Sequence, residues 1–413
     1  GQMVAGLAAS PRYGYSFHDM STWGYTAAGA GGGLSARLAI FTDGEERISI
    51  LHNGSLVGIG EKTPTEALTV AGSISSQGYC SDVNSNTKIG TDALDANTTG
   101  DQNTALGHCA LNDNTTGGCN VAIGHLSLKL NISGDGAVAI GYGAGCKHNI
   151  DRCNTYVGYE AGRFTTYGAG ATFIGECAGW YNTTGSSNTF IGTQAMKGNT
   201  VGGSNVSIGV NSGLFSEGDG GDESVFIGSA TGFCNDASYQ VMIGGNAGRY
   251  QETGPNITAV GYNANRGSDG NTTGYYNTSI GSCANYAITT GGSTVAVGYK
   301  ANFSNTTAGY NTAVGSCALY SNTTGTGNLA IGFCSLYASV TSNNNVAVGD
   351  EAIRNNTTGA SNVALGAHAL IINTEGSHNT AIGTETLKSN TCGVCNVGIG
   401  TEALRTNSTG VAN

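Results

Sequence analysis

Proline, charge and long apolar runs are all scarce in this sequence. Only 3 of its 413 residues are Pro and only 10% are charged. The shortage of Pro excludes a collagen-like chain despite 69 Gly, and an apolar content of 39% argues against disorder. No 18 consecutive residues are apolar, and the first thirty residues lack a basic region followed by an apolar stretch. We therefore predict no membrane insertion.

Basic residues are few as well. The chain has 16 Lys and Arg against 27 Asp and Glu, a formal net charge of -11. Contacts to phosphate depend on clustered Lys and Arg, and here the basic residues are scattered along the chain. We therefore predict that nucleic acid is not a partner.

What the sequence has instead is a strict internal repeat. The phrase N-[TVL]-[AG]-[VIL]-G begins at Asn311 and recurs every 17 residues as far as Gly400. The pattern can be followed back to Asn86 and gives nineteen units, two of them lengthened by polar, Gly-rich residues within 216–223 and 266–271. A fixed period is typical of stacked repeats, so we predict a solenoid in which each unit forms one coil.

The fifth position of the unit, counted from the residue that opens the phrase, is Gly in all nineteen units. A position that admits only Gly needs a positive φ or lies against another backbone segment. We therefore predict a structural corner at each of these residues. In the two regular stretches of the repeat they are Gly90, Gly107, Gly124, Gly141, Gly158, Gly175, Gly192, Gly209, Gly315, Gly332, Gly349, Gly366, Gly383 and Gly400.

Alternation along the phrase suggests which side chains are buried. The second position is always Thr, Val or Leu and the fourth is always Ile, Val or Leu. Side chains two residues apart on a strand face the same side, so we predict that these two positions form the buried stripe and that the variable third position faces outward. With the N-T-T-G turns that follow, each unit is predicted to be a strand, a Gly corner, a short strand and a turn of a parallel β-roll.

The ninth position changes in blocks along the chain, from Leu to Gly, then Asn, then Leu or Ile. Like residues on neighbouring coils are expected to stack in a ladder, so the cross-section should change along the rod. The block of Asn265, Asn285 and Asn302 is interpreted as a wetter or differently packed collar.

Residues 1–56 do not carry the repeat. Two β-prone runs within 37–51 are joined by Asp43-Gly44, a strong hairpin signal, so we predict a small antiparallel β module. Residues 57–85 are interpreted as a connector. Their string V-G-I-G-x-x-x-P-x-x-x-L-x-V-x-G-x-I resembles the segment that introduces the shaft in many phage tail-fibre proteins. The repeat region 86–413 would then be the shaft.

The repeat itself resembles the head repeats of the YadA-like trimeric autotransporter adhesins. In that family an N-S-V-A-I-G phrase opens each coil of a left-handed parallel β-roll, and three chains pack together. The resemblance covers 86–412 and rests on the Asn, the aliphatic residue and the Gly, while the unit here is longer than the family's usual coil. It implies a homotrimer, intertwined or side by side. A thin core in each coil independently favours self-association, because ordering the backbone costs about 1 to 2 kcal/mol per residue.

No group of residues indicates an enzyme, and we predict no catalytic residue, cofactor or metal. The stretch 141–147 (GYGAGCK) lacks the spacing of a phosphate-binding loop. His108 and His125 occupy the same position of adjacent units and could chelate a metal. No third ligand recurs at that position, so surface decoration is the preferred interpretation.

Acidic, thiol and turn residues receive structural interpretations too. Asp219, Asp222 and Glu223 could hold Ca²⁺, but a solvated polar loop is commoner. Five cysteines share the seventh position and are read as small apolar filler, and a disulfide between the last two is left open. The sequons at Asn97, Asn182, Asn322 and Asn356 coincide with the predicted turn, and Trp180, Tyr181 and Phe190 could contact glycans or pack. The five cysteines are Cys109, Cys177, Cys283, Cys317 and Cys334.

Together these patterns favour an extracellular structural and attachment protein, the shaft of a homotrimeric phage or virus tail fibre on a virion. The expected partners are other copies of the chain and a host surface receptor or glycan. The alternative is the head of a bacterial trimeric autotransporter adhesin at the bacterial cell surface. A third possibility is a single-chain solenoid that binds ice or glycan, since a fold alone does not choose among functions.

Overall fold

The computed structural model describes residues 14–17, 20–26, 37–42, 45–51, 57–59, 68–70, 84–149, 152–214, 221–268 and 272–413. All the regular secondary structure in these residues is β-strand. The chain divides into two compact units, residues 1–79 and residues 80–413.

The first unit contains one sheet of six strands in chain order. Neighbours pair antiparallel as far as β5, and β5 pairs parallel with β6. The antiparallel pairing of β3 with β4 is the one that the hairpin pattern predicts, whereas Asp43-Gly44 lies outside the described residues. An N-terminal module separate from the connector stays a prediction, and β5 of the connector pairs with β4. The strands are β1 (Gly14–Phe17), β2 (Met20–Thr26), β3 (Arg37–Thr42), β4 (Glu45–Leu51), β5 (Val57–Ile59) and β6 (Leu68–Val70).

The second unit is a parallel β-solenoid, as the repeat predicts, and each coil contains one short strand. Each strand covers the second, third and fourth positions of a unit. They are β7 (Thr87–Ile89), β8 (Thr104–Leu106), β9 (Val121–Ile123), β10 (Val138–Ile140), β11 (Thr155–Val157), β12 (Thr172–Ile174), β13 (Thr189–Ile191), β14 (Val206–Ile208), β15 (Val225–Ile227), β16 (Val241–Ile243), β17 (Thr258–Val260), β18 (Thr278–Ile280), β19 (Val295–Val297), β20 (Thr312–Val314), β21 (Leu329–Ile331), β22 (Val346–Val348), β23 (Val363–Leu365), β24 (Thr380–Ile382) and β25 (Val397–Ile399).

Every strand from β7 to β24 pairs parallel with the next, and equivalent positions lie opposite one another. Ala313 lies opposite Ala330, for example. The register also holds where a unit is lengthened, because Val206 lies opposite Val225 and Thr258 opposite Thr278. Nineteen strands at a spacing of about 4.8 Å give a ladder about 90 Å long.

The side of the strand that faces the interior is the opposite of the predicted one. The third position is buried in every strand from β8 to β25, whereas the second and fourth positions are half-buried or exposed. The prediction was wrong because alternation defines two faces without saying which is inside. The interior of a 17-residue coil is narrow, so it takes Ala at most third positions, as at Ala105 and Ala364.

Size matching between the third and ninth positions accounts for several of the blocks in the sequence. Four coils combine a large third residue with Gly at the ninth position: a Cβ on Gly232 would lie 2.6 Å from the ring of Phe226. A Cβ on Gly179 would lie 2.7 Å from the ring of Phe173. Seven of the ten coils with Ala at the third position have a buried Leu or Ile at the ninth, as with Ala313 and Leu319. One side chain fills the space that the other leaves.

The Asn block is a polar segment of the core, which is the change of packing that the sequence predicts there. Asn285 donates from Nδ2 to Ser279 Oγ at 2.8 Å and to Thr294 Oγ1 at 3.0 Å, and its Oδ1 accepts from Asn302 at 2.7 Å. All four residues are fully buried. One hydrophobic cluster ends at Ala264 and the next begins at residue 284, so this network divides the core into two parts.

The corner glycines have φ values between +112° and +142°. A Cβ on Gly315 would lie 2.4 Å from the carbonyl oxygen of Gly332 on the next coil. After the corner the chain makes turns and not the predicted short strand, because the seventh and ninth residues adopt left-handed conformations in most coils. Leu94 (φ 51°) and even the β-branched Ile353 (φ 52°) do so.

Buried asparagines join the coils along two ladders. At the opening position, Asn86 donates from Nδ2 to Gly100 O at 2.8 Å and accepts from the amide of Asn103 at 2.8 Å. In the turn, Asn131 donates to Asn114 Oδ1 at 3.0 Å. Each amide therefore satisfies backbone or side-chain groups of its own coil and of a neighbouring coil, which a buried aliphatic residue could not do.

Candidate functional site

The outward face of strands β7 to β25, which we call the strand face, has Ile, Val or Leu at the fourth position of every unit and Thr, Val or Leu at the second. It consists of the second and fourth positions of the nineteen units, and neither position carries a charged residue in any unit. Several of its side chains are more than a third exposed, and large exposed apolar patches on soluble proteins mark interaction sites. They include Leu106, Ile140, Ile174, Ile280, Ile331, Leu365 and Ile382.

Exposed aromatic residues flank the strand face along the chain. Directly after the corner glycine, the sixth position carries Tyr142, Tyr159 and Tyr299, and the rings of the first two stack at 5.2 Å. The last position of other units carries Tyr276 and Tyr310, of which Tyr310 is 72% exposed. Aromatic residues are enriched in protein interfaces, so these flanks widen the surface available to a partner.

A second surface concentrates the basic residues, which are not scattered as the sequence analysis assumed. Eight of the twelve Lys and Arg of the repeat region share the tenth position, and six further coils have an aromatic residue there. Aligning the units by position would have found this pattern. The basic residues are Lys129, Arg163, Lys197, Arg249, Arg266, Arg354, Lys388 and Arg405, and the aromatic residues are Trp180, Phe233, Tyr286, Phe303, Tyr320 and Tyr337.

Contacts within the protein occupy much of this second surface. Tyr286, Phe303, Tyr320 and Tyr337 stack with centroid distances of 5.0 to 5.1 Å and interplanar angles of at most 8°. The guanidinium of Arg266 lies 5.3 Å from the ring of Tyr286 at one end of the stack. Because the ring faces cover one another, the stack stabilises neighbouring coils and leaves little ring face for a sugar.

Ion pairs neutralise several of the tenth-position cations. Arg163 pairs with Glu160, and Arg354 lies 3.2 Å from Glu351. Lys388 donates to Glu385 at 2.6 Å, and this hydrogen bond is the main cause that lowers the pKa of Glu385 below its usual range. These pairs favour a structural role for the charges over recognition of an anionic ligand.

The aromatic and turn candidates from the sequence also have structural contacts. Phe190 is fully buried and stacks on Phe173 at 4.7 Å. Trp180 contacts Tyr181 and lies under the ammonium of Lys197 at 4.6 Å. The sequon asparagines close the turns: each donates from Nδ2 to the carbonyl oxygen of a Gly three residues later, as in Asn97 to Gly100, Asn182 to Gly185, Asn322 to Gly325 and Asn356 to Gly359.

Cys317, Cys334 and the acidic insertion have structural roles. Cys317 and Cys334 form no disulfide. Burial raises the pKa of the Cys334 thiol, and the neighbouring Cys317 raises it further. Asp222 accepts the backbone N–H of Gly203 at 2.8 Å, which gives its carboxylate a structural role, while Asp219 lies outside the described residues.

The two histidines singled out in the sequence stack along the sixth position, with ring centroids 4.9 Å apart. The structure also brings Asp92 and Cys109 to His108. A search for ligands recurring at one position of the unit missed this group, because Asp92 and Cys109 occupy the seventh position and not the sixth.

Comparisons with protein-family models, with curated proteins and with solved structures give no match. The resemblance to the YadA-like head repeats therefore stays a prediction. Among the residues that the structure describes, none belongs to a helix long and apolar enough to cross a membrane.

Proposed function

We propose that this protein is a structural and attachment protein, the shaft of a homotrimeric phage or virus tail fibre that acts outside the cell. The observation that carries the proposal is the strand face, which has an aliphatic residue at the fourth position of all nineteen coils and no charged residue. A regular rod with one long face that lacks charge and exposes aliphatic side chains is suited to lateral packing of identical chains. The proposed role of the shaft is to hold a receptor-binding part at a distance from the particle.

The dimensions of the strand face support self-association. It is about 90 Å long and, with side-chain radii included, roughly 10 Å wide. It therefore offers on the order of 900 Å² to a partner, and a stable interface buries about 800 Å² on each side. A second copy of the chain has the same length and the same absence of charge, so it could cover this face along its whole length.

The thin core favours self-association without indicating a surface for it. The outward-facing second and fourth positions supply such a surface. Apolar side chains such as Ile331, 37% exposed, would contact water in an isolated chain. Packing against other copies of the chain would remove that surface from water and stabilise the assembly by about 25 cal/mol for each Å² of apolar surface buried.

Light scattering of the purified chain tests the assembly. We expect about three times the chain mass of 41.5 kDa. The double variant Val314→Lys with Ile331→Lys places two ammonium groups on adjacent coils of the strand face, and it should give a mass of one chain, because burying unpaired charge is costly. Thr324→Lys adds a charge to an exposed turn and should leave the trimer intact.

Two results would contradict the proposal. A wild-type chain that stays monomeric would favour the single-chain solenoid, and an unchanged mass in the double variant would place the contact on another surface. The head of a bacterial trimeric autotransporter adhesin would share the same assembly. The connector string within 57–74 favours the fibre, and the genes that neighbour the coding sequence distinguish the two.

A further inference from the structure

We infer that Asp92, His108 and Cys109 form a binding site for a transition-metal ion, with Zn²⁺ the best match, that joins the first two coils of the solenoid. Asp92 belongs to the first coil, and the other two residues belong to the second. One donor atom from each lies within 4.8 Å of the other two. No other group of three or more such residues with this spacing occurs in the part of the chain that the structure describes.

The donor separations are close to those of a tetrahedral site. His108 Nε2 lies 3.6 Å from Cys109 Sγ and 3.8 Å from Asp92 Oδ2. Bond lengths of about 2.3 Å to sulfur and about 2.0 Å to nitrogen or oxygen place tetrahedral ligands about 3.5 Å and about 3.3 Å apart. The third pair, Asp92 with Cys109, lies within 4.8 Å and needs to close by at most about 1.3 Å, which rotation of the exposed Asp92 side chain allows.

The repeat holds the three donors together. Asp92 and Cys109 occupy the same position of adjacent coils and share a left-handed backbone, with φ values of 55° and 54°. The amide of Cys109 donates to Thr91 O at 2.9 Å, and Asn112 donates from Nδ2 to Asp92 O at 3.0 Å. The backbone under two of the ligands is therefore fixed before a metal binds.

The donor set selects among metals. A thiolate, an imidazole and a carboxylate suit Zn²⁺, whereas Ca²⁺ and Mg²⁺ need oxygen ligands. Asp92 and His108 are each about half exposed, which leaves the fourth position open to water. The ring of His125 packs 4.9 Å from that of His108 and restricts its orientation.

Such an ion would cross-link the first two coils, because its ligands come from both. The strand of the first coil, β7, is exposed at all three of its residues, unlike the later strands. The free energy of metal binding stabilises the folded conformation, in which the three ligands lie close together. We therefore expect Zn²⁺ to slow the opening of the first coil while leaving distant coils unchanged.

The first experiment uses the reduced full chain, stripped of metal by a chelator, and titrates it with Zn²⁺ and separately with Co²⁺. Calorimetry should show one equivalent of Zn²⁺ per chain that is lost in Cys109→Ser and in His108→Ala and weakened at least tenfold in Asp92→Asn. Co²⁺ should give a thiolate charge-transfer absorption that is absent in Cys109→Ser.

Matched controls separate this site from the other thiols and histidines. Cys317→Ser removes a thiol from the same position of a later unit, and His368→Ala removes a histidine that lies 3.7 Å from a carboxylate oxygen of Asp350. Both should bind Zn²⁺ like the parent. Charge transfer that survives in Cys109→Ser, or that falls equally in Cys317→Ser, would overturn the site.

Hydrogen exchange supplies a readout independent of affinity. The amide of Gly107 donates to Ile89 O at 2.8 Å across the first two coils, and Zn²⁺ should slow its exchange in the parent and not in Cys109→Ser. Equal protection in both proteins would show that the metal does not join these coils. All three substitutions alter side chains at the surface, so the folded solenoid is expected to persist and circular dichroism checks it.

Discussion

Each corner glycine satisfies two constraints, a backbone conformation and a close approach of the next coil. The second constraint acts along the whole ladder, because the backbone of one corner lies where the Cβ of the preceding corner would be. Gly315 has φ +135°, and its Cβ would overlap the carbonyl of Gly332 at 2.4 Å. Gly400 shares the positive φ, +112°, but nothing lies within 4 Å of its Cβ position. The chain therefore contains a pair of glycines that separates the two effects.

We expect Gly315→Ala to destabilise the neighbouring coils more than Gly400→Ala. The conformational cost, of order 1 to 3 kcal/mol, applies to both, and the backbone overlap adds to it only at Gly315. Hydrogen exchange measured by mass spectrometry should show faster opening of the coils around Gly315. Equal effects of the two substitutions would mean that conformation alone explains the invariant Gly.

The invariant Gly of the corner and the alternation along the strand carry different amounts of structural information. A Gly that no other residue replaces points to one local requirement, whereas alternation assigns side chains to two faces without a sign. The fourth position always carries an aliphatic residue larger than the Ala that is commonest at the third, yet Ala122 is fully buried and Ile140 is exposed. The narrow interior determines which side chains are buried, and its width depends on the path of the whole coil.

At the scale of the element, the polar segment around Asn285 interrupts an otherwise apolar core. The Asn block can be recognised in the sequence, but its hydrogen-bond partners cannot, because only the folded coil brings Ser279 next to Asn285. A buried amide contributes to stability when its partners are present and costs free energy when they are absent. The two cases can be compared at the ninth position of this chain.

We expect Asn285→Leu to destabilise the solenoid by about 1 to 3 kcal/mol, because Ser279 and Asn302 lose a partner in a buried site. The reciprocal substitution Leu319→Asn should also destabilise, since its neighbours on the third position, Ala313 and Ala330, offer no side-chain hydrogen bond. Urea unfolding followed by circular dichroism measures both. An Asn285→Leu variant as stable as the parent would contradict a stabilising role for the network.

At the scale of the whole molecule, contacts of the solenoid run between successive coils. The strands pair only with the strand before and the strand after, so each coil is supported locally. The free energy of unfolding is then approximately the sum of the intrinsic stability of each coil and the interaction energy between neighbouring coils, as in other solenoids. The period and the parallel coil were predictable from the sequence, because they depend on these nearest-neighbour contacts alone.

Removing one complete unit, residues 328–344, should therefore leave a folded rod that is shorter by about 4.8 Å. The coils that become neighbours match in size, since both have Ala at the third position and Leu319 then meets Ile353 at the ninth. Circular dichroism per residue should be unchanged, and small-angle scattering should report the shorter rod. Deleting only residues 328–335 shifts the Asn ladder and the corners out of register, and this control should lose structure. A half-unit deletion that folds as well as the full-unit deletion would contradict the coil as the unit of stability.

The register that persists across the longer units has a consequence for how such a chain can change. Val206 still pairs with Val225 although the unit that separates them has two additional residues. The register of the strands therefore depends on the order of the coils and not on the number of residues in each coil. Insertions between β14 and β15, or between β17 and β18, leave the alignment of every later coil intact. New sequence can therefore accumulate beside the rod, where selection or an engineer can graft a recognition peptide, without altering the length that the coils set.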